Sequence, residues 1–311
     1  MRIVFMGTPE FAVPTLEAVA SRHQMAGVFT QPDKPAGRGQ NLAPPPVKRC
    51  AERLGLALFQ PAKIRTPEVH ETLRSLAPDA VVIVGYGKII PQSIIDIPRL
   101  GCVNLHASLL PKYRGAAPVN WAIIRGETRT GLTTMKIDAG LDTGDTLLRA
   151  ETEIAPEDDA ESLGRRLAGL GAPLMLETLE GLESGTIIPQ PQNHAEATLA
   201  PILKKEDGLI DWTWTAEEIV NRVRGLVPWP GAYSEFRGSL LHVWKARAAE
   251  QLTSTPGTLV ARGRRLLAAA GEGSVELLEL QVEGKRRIPA ADFINGARLL
   301  PGESLRGRTA I

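Results

Sequence analysis

Cysteine is nearly absent from this chain. Its two residues, Cys50 and Cys102, fall in a helix-like and a strand-like setting, and neither has a neighbour at metal-ligand or redox spacing. A disulfide framework, a zinc ribbon and a dithiol centre are excluded, and both thiols read as small, buried hydrophobes. Long apolar runs are missing too: none approaches the roughly 18 residues that a membrane-spanning helix needs. The opening Met1-Arg2-Ile3-Val4-Phe5 reaches Gly7-Thr8-Pro9-Glu10 before a signal-peptide core can form, so no membrane association and a cytoplasmic location are expected. Charge of one sign is also lacking. A net charge of +1 argues against a chain coated with base for nonspecific grip on nucleic acid. Finally, the first strand is not followed by G-x-G-x-x-G, and no Gly-Lys-Ser or Gly-Lys-Thr stands at P-loop spacing. Dinucleotide enzymes and P-loop ATPases recede accordingly.

What is present is 311 residues, too many for one core of the roughly 250 residues beyond which chains split into domains. The first half alternates short Val/Ile-rich runs with amphipathic stretches. Strands are expected at 3–6, 25–29, 80–84 and 103–105, with helices at 11–20, 47–54, 67–76 and 117–125 between them. Two further strands, 131–137 and 146–153, and a long helix at 160–182 complete a doubly wound, mainly parallel α/β domain over residues 1–184. Residues 185–206 hold Gly185, Pro189, Pro191 and Pro201 with little apolar periodicity and read as an extended interdomain linker. Beyond them one helix (216–226) and strand-like runs at 240–243, 257–260, 265–269 and 275–280 suit a smaller C-terminal β-barrel of OB type over 207–311. Up to Leu203 the chain has 20 Lys+Arg against 22 Asp+Glu, and from Lys204 onward 16 against 13. That mild basic excess permits a nucleic-acid contact, with Lys204 and Lys205 at its start, without requiring one.

The densest polar cluster follows the strand ending near Leu105, where open α/β sheets bind their ligands. Asn104 and His106 stand two apart, so both side chains leave an extended strand on the same face. An amide and an imidazole aimed at one point can hold an oxyanion formed at a carbonyl. An Asn capping a turn beside a core His fits the spacing equally. Downstream, Asp138-Ala139-Gly140-Leu141-Asp142-Thr143-Gly144-Asp145 offers three carboxylates, but not at the alternate positions of a calcium loop, and no metal is expected. A carboxylate beside His106 can orient the ring and accept a proton; Asp near Gly can also be no more than a turn. A third feature is the loop from Gln31 to Asn41, whose Lys34 and Arg38 suit an arm that reaches for phosphate, or simply a solvated loop.

Taken together, Val103-Asn104-Leu105-His106-Ala107-Ser108-Leu109-Leu110-Pro111-Lys112-Tyr113-Arg114-Gly115 and Gly140-Leu141-Asp142-Thr143-Gly144-Asp145 closely resemble the folate-dependent formyltransferases. The resemblance implies a catalytic set of Asn104, His106 and Asp142. It also implies 10-formyltetrahydrofolate as formyl donor, with Ser108, Leu109, Leu110 and Pro111 lining its pocket. Ile210-Asp211-Trp212, Arg224-Gly225-Leu226-Val227-Pro228-Trp229-Pro230-Gly231 and Leu299-Leu300-Pro301-Gly302-Glu303 resemble the C-terminal domain of members that formylate methionyl-tRNA. Initiator methionyl-tRNA is therefore the implied acceptor, contacted by the Arg38 loop and by Lys204 and Lys205, and a monomer is expected. Relatives that act on amino sugars or glycinamide ribonucleotide share the first domain, so the second one discriminates. One departure is Pro45 before Pro46-Val47-Lys48, where the family usually has Ser; it touches no implied catalytic residue.

Overall fold

Strands buried on both faces need apolar residues in succession, and that is how the central runs are built. In β1 (Arg2–Gly7) every residue after Arg2 is buried. Helix α1 (Val13–Arg22) leads to β2 (Gln24–Phe29). Then come β3 (Lys34–Ala36), β4 (Asn41–Ala43), α2 (Pro46–Arg53) and the two-residue β5 (Leu58–Phe59). Helix α3 (Pro67–Leu76) starts where Thr66 Oγ1 accepts from Val69 N at 3.4 Å with Pro67 in the first turn, and it ends at Ala77 in the left-handed region, φ 42°. All five residues of β6 (Ala80–Val84) are buried. The short α4 (Gln92–Ile95), β7 (Cys102–His106), α5 (Pro118–Ile124), β8 (Arg129–Lys136), β9 (Thr146–Glu153) and the long α6 (Ala160–Ser184) follow. This architecture comes from a computed structural model, which describes all residues except 37–40 and 308–311.

The seven strands run in the order β5-β2-β1-β6-β7-β8-β9. Pairing is parallel from β5 to β7 and antiparallel between β7 and β8, with His106 opposite Thr133. Strand order reverses beside β1, which puts the carboxyl ends of β1, β6 and β7 next to one another, where ligands of such sheets bind. There Thr8 Oγ1 donates to Tyr86 O at 3.2 Å, and Gln31 Nε2 donates to the same carbonyl at 2.9 Å.

The two ends of the segment expected to be an arm are paired strands: β3 pairs antiparallel with β4 and Lys34 lies opposite Ala43. Strands of three residues containing Pro35 carry no periodic signal. Arg38 lies outside the described residues.

Helix α7 (Ala216–Gly225) opens on a capping box, with Glu218 N donating to Thr215 Oγ1 at 3.2 Å and Thr215 N to Glu218 Oε2 at 2.9 Å. The strands after it are β10 (Ala232–Phe236), β11 (Ser239–Ala249), β12 (Leu259–Arg262), β13 (Arg265–Ala269), β14 (Ser274–Val282) and β15 (Ile288–Pro289), with α8 (Ala290–Ala297) last. Their order is β10-β11-β14-β13-β12, with β15 beside β14, and the pairs are antiparallel. A two-residue turn, Arg237-Gly238 at φ 50° and 76°, joins β10 to β11. The open edges are closed by one segment: Arg306 bridges Glu235 on β10, and Ser304 bridges Thr258 beside β12. Closure turns the sheet into a barrel and removes its edges. Ile210, Trp212, Ile219, Val223, Val243, Leu266, Leu277 and Leu305 fill the interior.

Two compact units interleave along the chain. Met1–Gly115, Arg129–Thr152 and Gly164–Ala200 form the first, and Ala116–Thr128, Glu153–Leu163 and Pro201–Ile311 the second. Helix α5, read from sequence as a crossover of the first domain, thus packs with the second unit: Asn120 Nδ2 donates to Gly225 O at 2.8 Å. The first part of the stretch read as a linker is also tied down. Gln190 bridges Thr146, Leu199 bridges Arg114, and Gln192 is buried. Isolated bridges among prolines leave no apolar period to read.

Candidate active site

Strand β7 delivers Asn104 and His106 to one face, as the two-residue period requires. The His106 ring is buried and both its nitrogens face protein groups. Nε2 lies 2.8 Å from Tyr113 O, so it carries a proton and donates. Nδ1 then looks toward Asp142 Oδ2, 3.6 Å away. That gap is too long for a hydrogen bond, but it is well within the range of charge stabilisation. Asp142 Oδ2 itself accepts from Gly115 N at 2.8 Å. Tyr113 and Gly115 thus anchor the His and the Asp from a single turn, through backbone atoms that sequence reading cannot single out. Asn104 is half-buried, and its side chain has no partner among the described residues. An amide in that state is available to a ligand.

Two of the three aspartates of the β8–β9 loop have different jobs. Asp138 builds the turn, accepting from Gly140 N at 3.0 Å and from Thr143 Oγ1 at 2.8 Å. Asp142 turns inward to His106. Among the described residues no group of three His, Cys, Asp or Glu side chains is placed to hold a metal ion.

The segment expected to line a folate pocket is less uniform than the resemblance implies. Ser108 is fully buried, and its hydroxyl donates to Lys112 O at 2.6 Å. Leu110 is in the core at 1% exposure, and its N–H donates to Thr133 Oγ1 at 3.1 Å. Ser108 O and Leu109 O are also paired, with Thr133 Oγ1 and Lys112 N. Leu109 and Pro111 stay half-buried and are the members that can present apolar surface. Nearby segments add two exposed apolar side chains that the sequence reading missed, Ile89 at 73% and Leu141 at 63%. Cys102, at the start of β7, is no nucleophile: burial pushes its thiol up to about 12.

The expected nucleic-acid residues Lys204 and Lys205 lie exposed in the second unit. That unit also carries a ladder of rings that sequence did not reveal. His242 stacks on Trp244 with centroids 5.4 Å apart, Tyr233 tilts against His242 at 5.7 Å, and the Arg287 guanidinium covers the Trp244 ring at 3.6 Å. The signal was available in principle, since Tyr233 and His242 are cross-strand partners and Trp244 is two residues from His242.

Comparisons with known proteins follow the same division. Residues 1–179 match the family described as formyl transferase, and residues 202–298 match the formyl transferase C-terminal domain. The chain is 60% identical over 306 residues to a methionyl-tRNA formyltransferase of Solibacter usitatus (strain Ellin6076), covering 98% of each. It is 59% identical over 301 residues to a protein of the same name from Koribacter versatilis (strain Ellin345), covering 96% of each. Among solved structures, HypX from Aquifex aeolicus in complex with tetrahydrofolic acid aligns with a TM-score of 0.63 at 19% identity, covering 94% of this chain and 47% of that one. The sugar 3N-formyl transferase WlaRD, at 17% identity and a TM-score of 0.68 with 92% and 99% covered, shares the fold as well. Half the length of HypX has no counterpart in this chain.

Proposed function

The chain belongs to the formyl transferase family, and from that premise we propose that it moves the formyl group of 10-formyltetrahydrofolate to the α-amine of methionyl initiator tRNA, for translation initiation. The observation that carries the chemistry is the approach of His106 Nδ1 to Asp142 Oδ2 at 3.6 Å, with Asn104 on the same face of β7 as His106. The acceptor is supported by the match of the second unit and by relatives of that name over 98% of the chain.

Bound folate supplies an electrophilic formyl carbon and a nitrogen leaving group. Its fit is supported by the unpartnered Asn104 amide and by the apolar surface of Leu109, Pro111, Ile89 and Leu141, which suits a flat heterocycle. Asn104 donates an amide N–H to the formyl oxygen as negative charge builds there. Since Tyr113 O fixes the Nε2 proton of His106, protonation of the ring places the second N–H at Nδ1, which adds a charged donor. Asp142 holds that cation in place. With Oδ2 engaged by Gly115, Oδ1 has no partner among the described residues and relays the proton lost by the attacking amine to the folate nitrogen, whose bond to the formyl carbon breaks as the tetrahedral intermediate collapses.

The first unit is thus the catalytic one, and the second, with Lys204, Lys205 and the Tyr233–His242–Trp244–Arg287 ladder, holds tRNA. Arg38 completes the acceptor contact. An acceptor used in translation places the enzyme in the cytoplasm, and since one chain carries all three catalytic groups a monomer suffices. No helix among the described residues is long and apolar enough to cross a membrane. The test is acceptor choice: purified protein with 10-formyltetrahydrofolate is offered methionyl-tRNA, an amino-sugar nucleotide and glycinamide ribonucleotide. Formylation of methionyl-tRNA is expected, and a preference for either small acceptor overturns the assignment.

A further inference from the structure

Gln192 lies in the stretch that reads as a linker, yet it is only 6% exposed and its side-chain amide is fully engaged. Oε1 accepts from Arg114 Nη2 at 2.7 Å and Nε at 3.2 Å. Nε2 donates to Asp142 O at 2.9 Å and to Gly144 O at 2.7 Å. One amide therefore joins three segments: its own, the turn that carries Arg114, and the loop that carries Asp142. The turn holds both anchors of the catalytic pair, Tyr113 O for His106 and Gly115 N for Asp142.

Asp142 needs such a hold. Its backbone sits at φ 51°, in the left-handed region that a residue with a Cβ enters at a cost and that persists where the surroundings enforce it. The Gln192 amide fastens the carbonyls on both sides of Thr143, so it fixes the peptide that follows the strained residue. Arg114 is itself 7% exposed, and His194 Nδ1 lies 3.1 Å from its Nη2. The buried guanidinium takes a neutral amide as partner, and among the described residues Asp142 is the carboxylate that faces His106.

We infer that Gln192 is a positioning residue for the formyl transfer: it locks the Asp142 loop to the Tyr113–Gly115 turn and so sets the His106–Asp142 geometry. This rests on the function proposed above. Gln192→Glu is the sharpest probe, since it keeps volume and an acceptor for Arg114 but sets oxygen against the two carbonyls. Misplacing a catalytic group by about an ångström costs on the order of 10²-fold in rate. Single-turnover formyl transfer by Gln192→Glu should therefore fall about 10- to 100-fold, while KM for folate and for methionyl-tRNA stays within about threefold. Amide hydrogen exchange at Gly115, whose N–H is held by Asp142, should quicken in the ligand-free variant. Gln192→Met, which removes the donors without adding charge, should behave the same way and stands in if the Glu variant does not fold. A rate within about twofold of the parent, unchanged exchange at Gly115, or KM rising in step with the loss of rate overturns the role. The exchange measurement needs no substrate. If the parent itself proves to formylate another acceptor, the functional assignment fails while Gly115 exchange still decides the fate of the clamp.

Discussion

In the first unit the His106 imidazole is 6% exposed and the Asp142 carboxylate beside it 18% exposed, each held by a backbone atom of one turn. In the second unit several cations are at the surface: Arg247 is 64% exposed, Arg265 43%, and Lys204 and Lys205 are open to solvent. Transfer at a single carbon requires atoms fixed to a fraction of an ångström, which burial and backbone anchors provide. Holding a polyanion requires only that positive charge be spread over the right area. Effects of single substitutions should accordingly be steep in the first region and shallow in the second.

The steepest should be Asp142→Asn. It keeps volume and can still serve a turn, but it neither stabilises a protonated His106 nor accepts the amine proton. Single-turnover formyl transfer with saturating substrates should drop by at least roughly 10²-fold with folding little changed. A rate within a few-fold of the parent would mean that the buried cluster is architecture. Arg38→Ala blurs the boundary between the regions, since it removes a cation from the first unit. It should lower turnover with methionyl-tRNA by roughly tenfold while folate binding, measured by fluorescence quenching, stays intact. Arg287→Ala uncovers the face of Trp244 and removes one charge, and should weaken tRNA binding by roughly three- to tenfold. Replacing Lys204 and Lys205 together by Ala should cost only a few-fold in affinity, and should flatten the salt dependence by up to about two counterions. An equal effect from these surface changes and from Asp142→Asn would collapse the comparison.

The smallest effect should be on stability at acid pH. Glu276 is 4% exposed, and hydrogen bonds from Arg265, then Arg247, hold its carboxyl below the usual value against the opposing pull of burial. A depressed folded-state pKa stabilises the fold above the unfolded carboxylate range, and this is lost as pH falls through the folded value. Glu276→Gln should therefore lower the Tm near neutrality and flatten its decline below about pH 4.5, as read by thermal melts across pH.

The sequence made the sheet of the first unit legible because strands buried on both faces announce themselves as unbroken Val/Ile runs, as in β6. The barrel was harder. Strand β10 (Ala-Tyr-Ser-Glu-Phe) turns Ser234 inward, where its hydroxyl accepts from Trp212 Nε1 at 3.0 Å and donates to Arg306 O at 2.8 Å. A polar residue inside, with Tyr233 and Glu235 outside, erases the alternation that marks a strand. Helix α8 hides for a related reason, since Asn295 and Gly296 lower its propensity and only Ala290 and Phe293 are buried. At the site, the same-face placement of Asn104 and His106 follows from strand geometry, while the approach of Asp142 to His106 was implied only by the resemblance. That Ser108 and Leu110 turn inward did not follow, because either side of an irregular loop is equally open to a short polar or apolar side chain.

The interleaving of the two units has a consequence for inheritance. A recombination event that exchanged everything after Ala200 would bring in a new α7 yet keep the old α5 and the old Glu153–Leu163 segment. Arg224 of the incoming piece would have to find the carbonyls of Ala155 and Asp158, which its Nη1 reaches at 3.1 and 2.9 Å. Gly225 would have to remain Gly, because a Cβ there would come within 2.5 Å of Ile124 Cγ1. A single crossover after Ala200 would therefore part α7 from the two short stretches of earlier sequence that it packs against, and the incoming piece would have to match both of them.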